Sequence, residues 1–420
     1  MTTDEEIEFD RRIAAARELM REHGLEAIIA TDDHSIHGLS PTAPKRQPPY
    51  ARYFSNFHIP SELHPHGTTA IVPLSGEPVL LMPPGIRRSY VQLARSRSWI
   101  SNVVDLYVDE PAWEVQTRWG WMATDIVPGA VAALRSLGLE RGRIGVAGVW
   151  SEFEPFAQAL PTADFVPTLA SSDGAGVVDV LEPLVASNSP WEIAQLETAH
   201  RAGDAMTSAF IDAALAGGSA REARAEAQAA GIKAGADDMI MFGSIGVTPW
   251  TYWDWSLPVD GEFQRDRLYF FQVAISATKG YEVQSARSFV VGTPSQAHRR
   301  IHDTMEATLE AIRATIAPES TGGDLFLVGS GVVQESGLAL WGQLGHGMGY
   351  KAHSAPRGVA LVPGQPATLV PGQALVLHAC VIDEARGEAG MLGDTMLVGA
   401  DGRVRFAATE PLAPALRTTA

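Results

Sequence analysis

Three runs of residues with the alternating pattern of β-strands, all in the second half of the chain, limit its fold more than any other sequence feature. Residues 268–275, 282–291 and 374–382 are each long enough for a strand and alternate as strands do, and a helical pattern over 297–316 separates the second run from the third. Alternating strands typically pair as antiparallel sheets with one face buried under helices. The second half is therefore predicted to be an α+β fold, with helices over a mostly antiparallel sheet.

A helix start near residue 189 separates two predicted domains. Ser189 is placed to cap a helix, Pro190 suits the first helical position, and Glu192 completes a capping box. We therefore predict one domain over residues 1–186 and a second over residues 187–420.

The first half has the pattern of an α/β domain, in which amphipathic helices alternate with short apolar strands. The predicted elements are helices over 9–22 and 127–137, strands over 25–30 and 143–149, and a hairpin whose strands cover 68–73 and 78–82.

Composition excludes several kinds of protein. The single cysteine, Cys380, rules out a disulfide within the chain and a cysteine-rich zinc module. The net charge of −17 disfavours nucleic acid and anionic membrane surfaces as partners, because both select basic patches. No apolar run reaches the roughly 18 residues of a membrane span, and the N-terminus lacks the apolar core of a secretory signal. We therefore expect a cytoplasmic protein whose partner is a small-molecule substrate.

Several motifs in the second half resemble those of one known family, in the family's order and spacing. They are Asn188–Ile193 at the helix start, Gly280-Tyr281 through Arg287-Ser288-Phe289, Gly345–Gly349 with His353, Pro356 and Arg357, Pro371-Gly372-Gln373 before an apolar strand, and Gly393–Val398 with Asp401-Gly402. The chain thus resembles the creatinase, aminopeptidase P and prolidase family. The resemblance implies a creatinase-like α/β N-terminal domain, matched more loosely, and a pita-bread catalytic domain.

The metal ligands of that family are largely replaced here. Its catalytic members hold two metal ions with Asp, Asp, His, Glu and Glu. Carried onto this sequence, the first Asp falls within residues 271–273, and the other positions fall on Gln284, His346, His378 and Gly393. A two-metal site needs carboxylates to bridge and neutralise two divalent cations. We therefore predict that the enzyme uses neither a metal nor another cofactor.

Creatinase is a metal-free enzyme of the family, but this chain does not match it either. The resemblance places creatinase's catalytic histidine near Asp254, and its two pocket glutamates on Ala286 and His378. The carboxylates that would hold a guanidinium group are absent, so creatine is not expected as the substrate.

The candidate catalytic residues are His346, His353, His378, Glu282 and Asp254. A neutral histidine is a competent general base near pH 7, and its protonated form can protonate a leaving group. Strand periodicity places Glu282 and Gln284 on one face of their strand, and we expect both to line one cavity with His346 and His378. Gln284 can only exchange hydrogen bonds, so it is predicted to position substrate. The alternative is that the histidines are structural and Glu282 is a solvated carboxylate at the sheet edge.

The other predicted substrate-binding residues are His64, His66, Trp250, Tyr252, Trp253 and Arg357. The aromatic run fits an apolar, planar or cationic substrate, or else a packed loop or dimer contact. The arginine can hold a substrate carboxylate, or form a surface ion pair. The resemblance implies a homodimer in which the N-terminal domain, with its two histidines, closes the neighbouring active site.

We predict a metal-independent hydrolase that acts on a C–N bond of amide or amidine type, or a related bond, of a small molecule through histidine acid/base catalysis. A lyase is one alternative, because a histidine base can also abstract a carbon-bound proton. A mononuclear metal enzyme using His346, His378 and Glu282 is another. The third is a non-catalytic pita-bread binding protein, which would more often fill the old cavity with apolar groups.

Overall fold

In the computed structural model, the described residues are 1–33, 50–59, 66–83, 88–106, 127–147, 150–167, 182–243, 261–277, 279–350, 359–401, 403–406 and 416–419. They form two compact units, Met1–Val185 and Ala186–Ala420. Within these residues, no helix combines the length and the apolar content needed to cross a membrane.

The N-terminal unit is built on a six-stranded mixed sheet in the order β4-β3-β2-β1-β5-β6. Its strands are β1 (Ala27–Asp33), β2 (His66–Pro73), β3 (Val79–Met82), β4 (Asn102–Asp105), β5 (Arg143–Ala147) and β6 (Asp164–Pro167). Its helices are α1 (Thr3–His23), α2 (Tyr50–Ser55), α3 (Arg88–Arg97), α4 (Val127–Ser136) and α5 (Trp150–Ala159). A short helix, α6 (Glu182–Ala186), runs across the division between the units.

Local sequence signals account for the start of this unit. Thr2 and Glu5 form a capping box at the start of α1, and Gly24 ends the helix with φ 66°, a left-handed conformation that glycine adopts without steric cost. The predicted hairpin is confirmed, since β2 and β3 pair antiparallel. The core between helices and sheet is apolar, with Ile29 and Leu134 among its fully buried residues.

The C-terminal unit contains a nine-stranded sheet whose main path is β14-β13-β12-β11-β9-β8-β7. Its strands are β7 (Ala236–Gly243), β8 (Arg267–Ala277), β9 (Tyr281–Val291), β10 (Ala339–Leu340), β11 (Gly345–Tyr350), β12 (Ala374–Asp383), β13 (Glu388–Val398), β14 (Val404–Phe406) and β15 (Arg417–Thr418). Its helices are α7 (Pro190–Leu215), α8 (Ala220–Lys233), α9 (Gln296–Thr315) and α10 (Gly322–Glu335).

Helices pack on one face of the large sheet, called here the outer face. α7 begins at the predicted capping box, in which the Glu192 backbone N–H donates to Ser189 Oγ at 3.1 Å. Its Phe210 stacks on Phe271 of β8 with ring centroids 4.0 Å apart. Residues of β12 with odd numbers, including Leu375 and Leu377, pack into the core that α9 and α10 form.

The other face of the sheet, called here the inner face, carries the residues with even numbers on β12 and those with odd numbers on β13. It also carries the residues with even numbers between 270 and 276 on β8 and between 282 and 286 on β9. β9 pairs with β8 along one edge, and its other edge pairs with β13 at Ala286 and with β11 at Glu282. β12 in turn pairs with both β13 and β11. The inner face is therefore the concave side of strands that close on one another.

The predicted fold class, an α/β N-terminal domain plus an α+β pita-bread domain, is confirmed. The strands predicted over 268–275, 282–291 and 374–382 are present and somewhat longer. α10 and β7 were not predicted, because the glycines of the first and the acidic start of the second weaken their periodic patterns.

Candidate functional site

One row of paired residues crosses the inner face and defines the site. Gln272 of β8 pairs with Ala286 of β9, Ala286 pairs with Gly393 of β13, and Gly393 pairs with His378 of β12. Directly paired residues of antiparallel strands point to the same side of a sheet. The row therefore has a long polar side chain at each end and two small residues between them.

Two imidazoles meet at one end of this row. The rings of His346 and His378 are 5.6 Å apart at their centroids and inclined at 69°. β11 brings His346 to this place, because His346 pairs with Val376, two residues from His378 on the same face of β12. The His346 Nδ1–H donates to the Gly347 carbonyl at 3.0 Å, so in the neutral ring Nε2 carries the lone pair.

His378 is a neutral imidazole in this environment. Burial, with a smaller contribution from the nearby His346, lowers the pKa of His378 to about 3. Its Nδ1 is buried and has no hydrogen-bond partner among the described residues. A buried polar atom of this kind indicates a place where a ligand or a water molecule completes the hydrogen bonding.

Two amide side chains meet near the other end of the row. Gln272 Nε2 donates to Gln284 Oε1 at 3.1 Å, and both side chains are buried. Gln272 Oε1 is buried without a partner in the described part of the chain. The resemblance placed the first family aspartate only within residues 271–273. The structure shows that Gln272 is the residue of these three that faces Gln284.

Thr395 holds the backbone of Gln284 and was not predicted from the sequence. Its hydroxyl accepts from the Gln284 N–H at 2.8 Å and donates to the Gln284 carbonyl at 3.0 Å. This contact lies on β9 between the stretch paired with β13 and the stretch paired with β11. A side chain thus supplies both hydrogen bonds at the point where β9 changes partner.

A buried ion pair supports the row from the outer face. Arg287 donates to both carboxylate oxygens of Asp394, at 2.9 and 2.8 Å, and also to the carbonyls of Ala286 and Gly393, at 2.8 Å each. Burial raises the pKa of Asp394 although Arg287 and His200 oppose the shift. For His200, burial acts to lower the pKa, but the carboxylates of Asp204 and Asp394 raise it overall. These bonds hold β9 against β13 behind the small residues of the row.

The remaining predicted site residues are placed as follows. Glu282 is buried on β9, on the same face as Gln284 and paired with Ser276. His66 begins β2 in the N-terminal unit. His64, Trp250, Tyr252, Trp253, Asp254, His353 and Arg357 lie outside the described residues.

The residues that the sequence resemblance predicts at the family's metal positions do not fit a two-metal centre. A Cβ atom at Gly393 would lie 2.5 Å from His378 Cβ and 2.8 Å from the Leu377 carbonyl oxygen, so a carboxylate side chain cannot be added there without moving β12. The side chains of Gln272 and Gln284 are hydrogen-bonded to each other. Among the described residues, no three His, Cys, Asp or Glu side chains are grouped closely enough to hold a metal ion.

The concave sheet with helices on its outer face, preceded by an α/β unit, defines a two-domain protein of the pita-bread class. Residues 194–400 match the model of metallopeptidase family M24, and residues 12–172 match that of the creatinase/prolidase N-terminal domain. The chain belongs to the creatinase/prolidase family of pita-bread proteins.

Solved structures show the same fold at low sequence identity. Dipeptidase PepE from Mycobacterium ulcerans is 19% identical with a TM-score of 0.67, and the match covers 99% of this chain and 98% of that one. An Xaa-Pro dipeptidase from Bacillus anthracis is 18% identical with a TM-score of 0.69, covering 98% and 99%. The N-terminal domain of FACT complex subunit SPT16 from chickpea is 13% identical with a TM-score of 0.65, covering 98% of each chain. No curated protein sequence matches the chain.

Proposed function

We propose that this protein is a metal-independent hydrolase that cleaves a C–N bond of amide or amidine type in a small molecule. The observation that carries the proposal is the His346–His378 pair, with ring centroids 5.6 Å apart, on a face where the family's ligand positions present no carboxylate. Because the metal ions of the family generate their nucleophile from bound water, a protein without such ions needs another base. An imidazole is the side chain best suited to that role near neutral pH.

The two imidazoles take different roles in this proposal. His346 is the general base: its Nε2 removes a proton from water, the oxygen attacks the carbonyl or amidine carbon, and the proton passes to the leaving nitrogen as the C–N bond breaks. His378 has a pKa of about 3 and therefore binds few protons at pH 7, so it serves as a neutral hydrogen-bonding group. Gln284 positions the substrate.

The predicted residues outside the described segments complete the proposed site. His353 is the candidate for a second proton-transfer group, and Asp254, Arg357 and the aromatic residues Trp250, Tyr252 and Trp253 are candidates for binding substrate. A homodimer would bring His64 and His66 of the N-terminal unit to the neighbouring site.

A turnover screen tests the proposal. Purified protein is incubated with small amides, amidines and N-substituted amino acids, with and without a chelator, and its metal content is measured. We expect turnover that the chelator leaves unchanged. Activity that disappears with the chelator and returns with a divalent cation would show that the enzyme is metal-dependent.

Histidine variants separate the proposed base from other groups. His346→Gln should lower kcat about 100-fold or more, the usual contribution of a positioned general base. His23→Gln changes a partly exposed residue at the end of α1 and should leave kcat unchanged. Binding without turnover across the whole screen would favour the alternative of a non-catalytic binding protein.

A further inference from the structure

His200 of α7 lies on the outer face of the large sheet with a carboxylate near each of its ring nitrogens. The residue is only 1% exposed. Its Nδ1 is 3.2 Å from Asp204 Oδ2, four residues further along the helix, and its Nε2 is 3.7 Å from Asp394 Oδ1 of β13. A neutral imidazole has one N–H, whereas an imidazolium has an N–H at both nitrogens. The arrangement therefore fits the protonated ring.

The contact between His200 and Asp394 depends on the proton at Nε2. Among the described residues, this buried nitrogen has no hydrogen-bond partner, so its interaction with the carboxylate is ionic and not a hydrogen bond. Without the proton, the Nε2 lone pair would face a carboxylate oxygen where little water can screen the repulsion. With the proton, the same contact is attractive.

The charges around His200 balance only when the ring is protonated. Asp204 and Asp394 supply two negative charges, and Arg287 of β9, which binds both oxygens of Asp394, supplies one positive charge. The imidazolium supplies the second. Burial acts to lower the pKa of His200, but Asp204 and Asp394 raise it overall against the smaller opposing effect of Arg287.

The other elements that pack on α7 place uncharged or exposed residues nearby, as far as the structure describes them. α8 buries Ala220, Ala223, Ala227 and Gly231. β8 places Val273 and Ile275 beside Gly203, and β7 places Ala236 near Met206, while Asp237 of β7 is exposed. Arg405 of β14 pairs with Glu197 of α7 at 3.5 Å, but both side chains are partly exposed and their charges are screened by water.

His200 contacts the sheet where β9 meets β13, a place called here the β9–β13 junction. The junction consists of the pairs Ala286–Gly393 and Ser285–Asp394. α7 contacts both members of the second pair, since His200 faces Asp394 and the Thr207 hydroxyl lies 3.2 Å from that of Ser285. Gly393 of the first pair is also paired with His378. The helix therefore contacts the strands directly behind the candidate site.

We propose that His200 is a proton-dependent clamp, whose imidazolium binds Asp394 and holds α7 against the β9–β13 junction, and whose loss of a proton to solvent weakens that hold. The bonds from Arg287 and the two strand pairs remain after the proton is lost. The junction then opens more often without unfolding the unit. The inference does not rest on the proposed hydrolase, because it concerns the rigidity of the junction and not turnover.

The direction of the pH dependence follows from the raised pKa. The folded ring keeps its proton to a higher pH than a free histidine with a pKa of 6.5. The contribution of the clamp is therefore complete below about pH 6.5 and is lost as pH rises through the raised pKa of the folded protein.

The titration of His200 is the first test. Imidazole signals of the full chain, labelled in its histidines, are followed by NMR from pH 5.5 to 9.5, and the signal of His200 is assigned by its absence in His200→Gln. We expect a midpoint above 6.5 that falls when Asp204→Asn removes one of the two carboxylates. The shift in Asp204→Asn also assigns the signal if His200→Gln does not fold. A midpoint at or below 6.5 would overturn the proposal.

Hydrogen exchange then measures the junction itself. The protection of backbone amides in residues 388–398, corrected for the intrinsic effect of pH on exchange, is compared at pH 6 and pH 9, with helix α10 as the internal reference. In the wild type we expect the protection of β13 to fall by at least about fivefold, and by no more than about tenfold per pH unit, while α10 is unchanged.

Two glutamine variants assign the pH effect to His200. His200→Gln is neutral at every pH, so it should show the lower protection at both pH values. His302→Gln is the matched control, because His302 is also a buried histidine with a carboxylate four residues further along its helix, Glu306, at 3.7 Å. It lies on α9 and should keep the pH effect of the wild type.

Three outcomes of the exchange experiment would contradict the clamp. Protection of β13 that is independent of pH in the wild type would show that the proton does not control the junction. The same fall in His200→Gln would assign the effect to another group. An equal fall in α10 would show that the whole unit loosens with pH.

Discussion

Gly393 lies directly opposite His378 in the β12–β13 ladder, and a Cβ atom at residue 393 would approach the His378 Cβ to 2.5 Å. The two residues therefore depend on each other, since the strands come this close only because residue 393 has no side chain. The sequence resemblance predicts that the family's glutamate ligands fall at these two positions, and here both carboxylates are absent. An imidazole with a pKa of about 3 and a glycine leave this pair of positions uncharged at neutral pH.

This close approach predicts the effect of adding a single methyl group. Gly393→Ala should destabilise the protein by about 1–3 kcal/mol, because backbone and Cβ atoms of β12 have to move. Gly331→Ala is the matched control, as a Cβ there meets nothing within 4 Å in helix α10 and alanine favours a helix by roughly 0.5–1 kcal/mol. Urea unfolding of both variants measures the difference. Equal stability of Gly393→Ala and wild type would contradict the tight packing.

A second prediction concerns the two hydrogen bonds between the Thr395 hydroxyl and the backbone of Gln284. Thr395→Val preserves the shape but leaves the Gln284 N–H and carbonyl without their partner, so the free energy of unfolding should fall by about 2 kcal/mol or more. Thr308→Val removes an equally buried hydroxyl that donates to the Thr304 carbonyl within α9. That carbonyl keeps its helical partner, so the control should stay within about 0.5 kcal/mol. Similar losses in both variants would mean that Thr395 acts only by packing.

Much of the fold could be predicted because its signals are local. The capping box of Ser189 and Glu192 lies within four residues, and the alternation of β12 places Val376 and His378 on one face without reference to any other strand. The family motifs also drew attention to Gln284 and Gly393, which lie in paired strands of the large sheet. Each of these features depends on neighbours in the sequence or on a fixed motif.

The parts of the candidate site that the sequence did not predict depend on pairing between strands that are distant in the chain. The pairing of Ala286 with Gly393 joins residues 107 positions apart, and a change of one residue in register would turn every side chain to the other face. For this reason the sequence did not decide among residues 271–273, and Thr395 carried no signal, since a threonine is common in any strand.

The ion pair behind the row predicts a large effect of removing one charge. Arg287→Met would leave the buried Asp394 carboxylate without its bidentate partner, at a cost of roughly 3–5 kcal/mol. Arg405→Met breaks a pair with Glu197 whose closest atoms are 3.5 Å apart and whose side chains are 54% and 30% exposed, so its effect should stay below about 1 kcal/mol. Unfolding in urea at pH 7 compares the two. A small loss in Arg287→Met would indicate that Asp394 becomes protonated at little cost.

The buried imidazole predicts how stability depends on pH. The pKa of His378 is lowered from 6.5 to about 3 on folding, so the unfolded chain binds the proton more readily. The contribution of the neutral ring is therefore complete above about pH 6.5 and is lost as pH falls toward 3, at roughly 1.4 kcal/mol for each pH unit. Carboxylates titrate in the same range, so the informative quantity is the difference between wild type and His378→Gln. Measured from pH 7.5 down to pH 4, this difference should move steadily in favour of the variant. If the stabilities of wild type and His378→Gln changed in parallel with pH, His378 would bind its proton as readily in the folded protein as in the unfolded chain. His378 would then again be a candidate for the catalytic base.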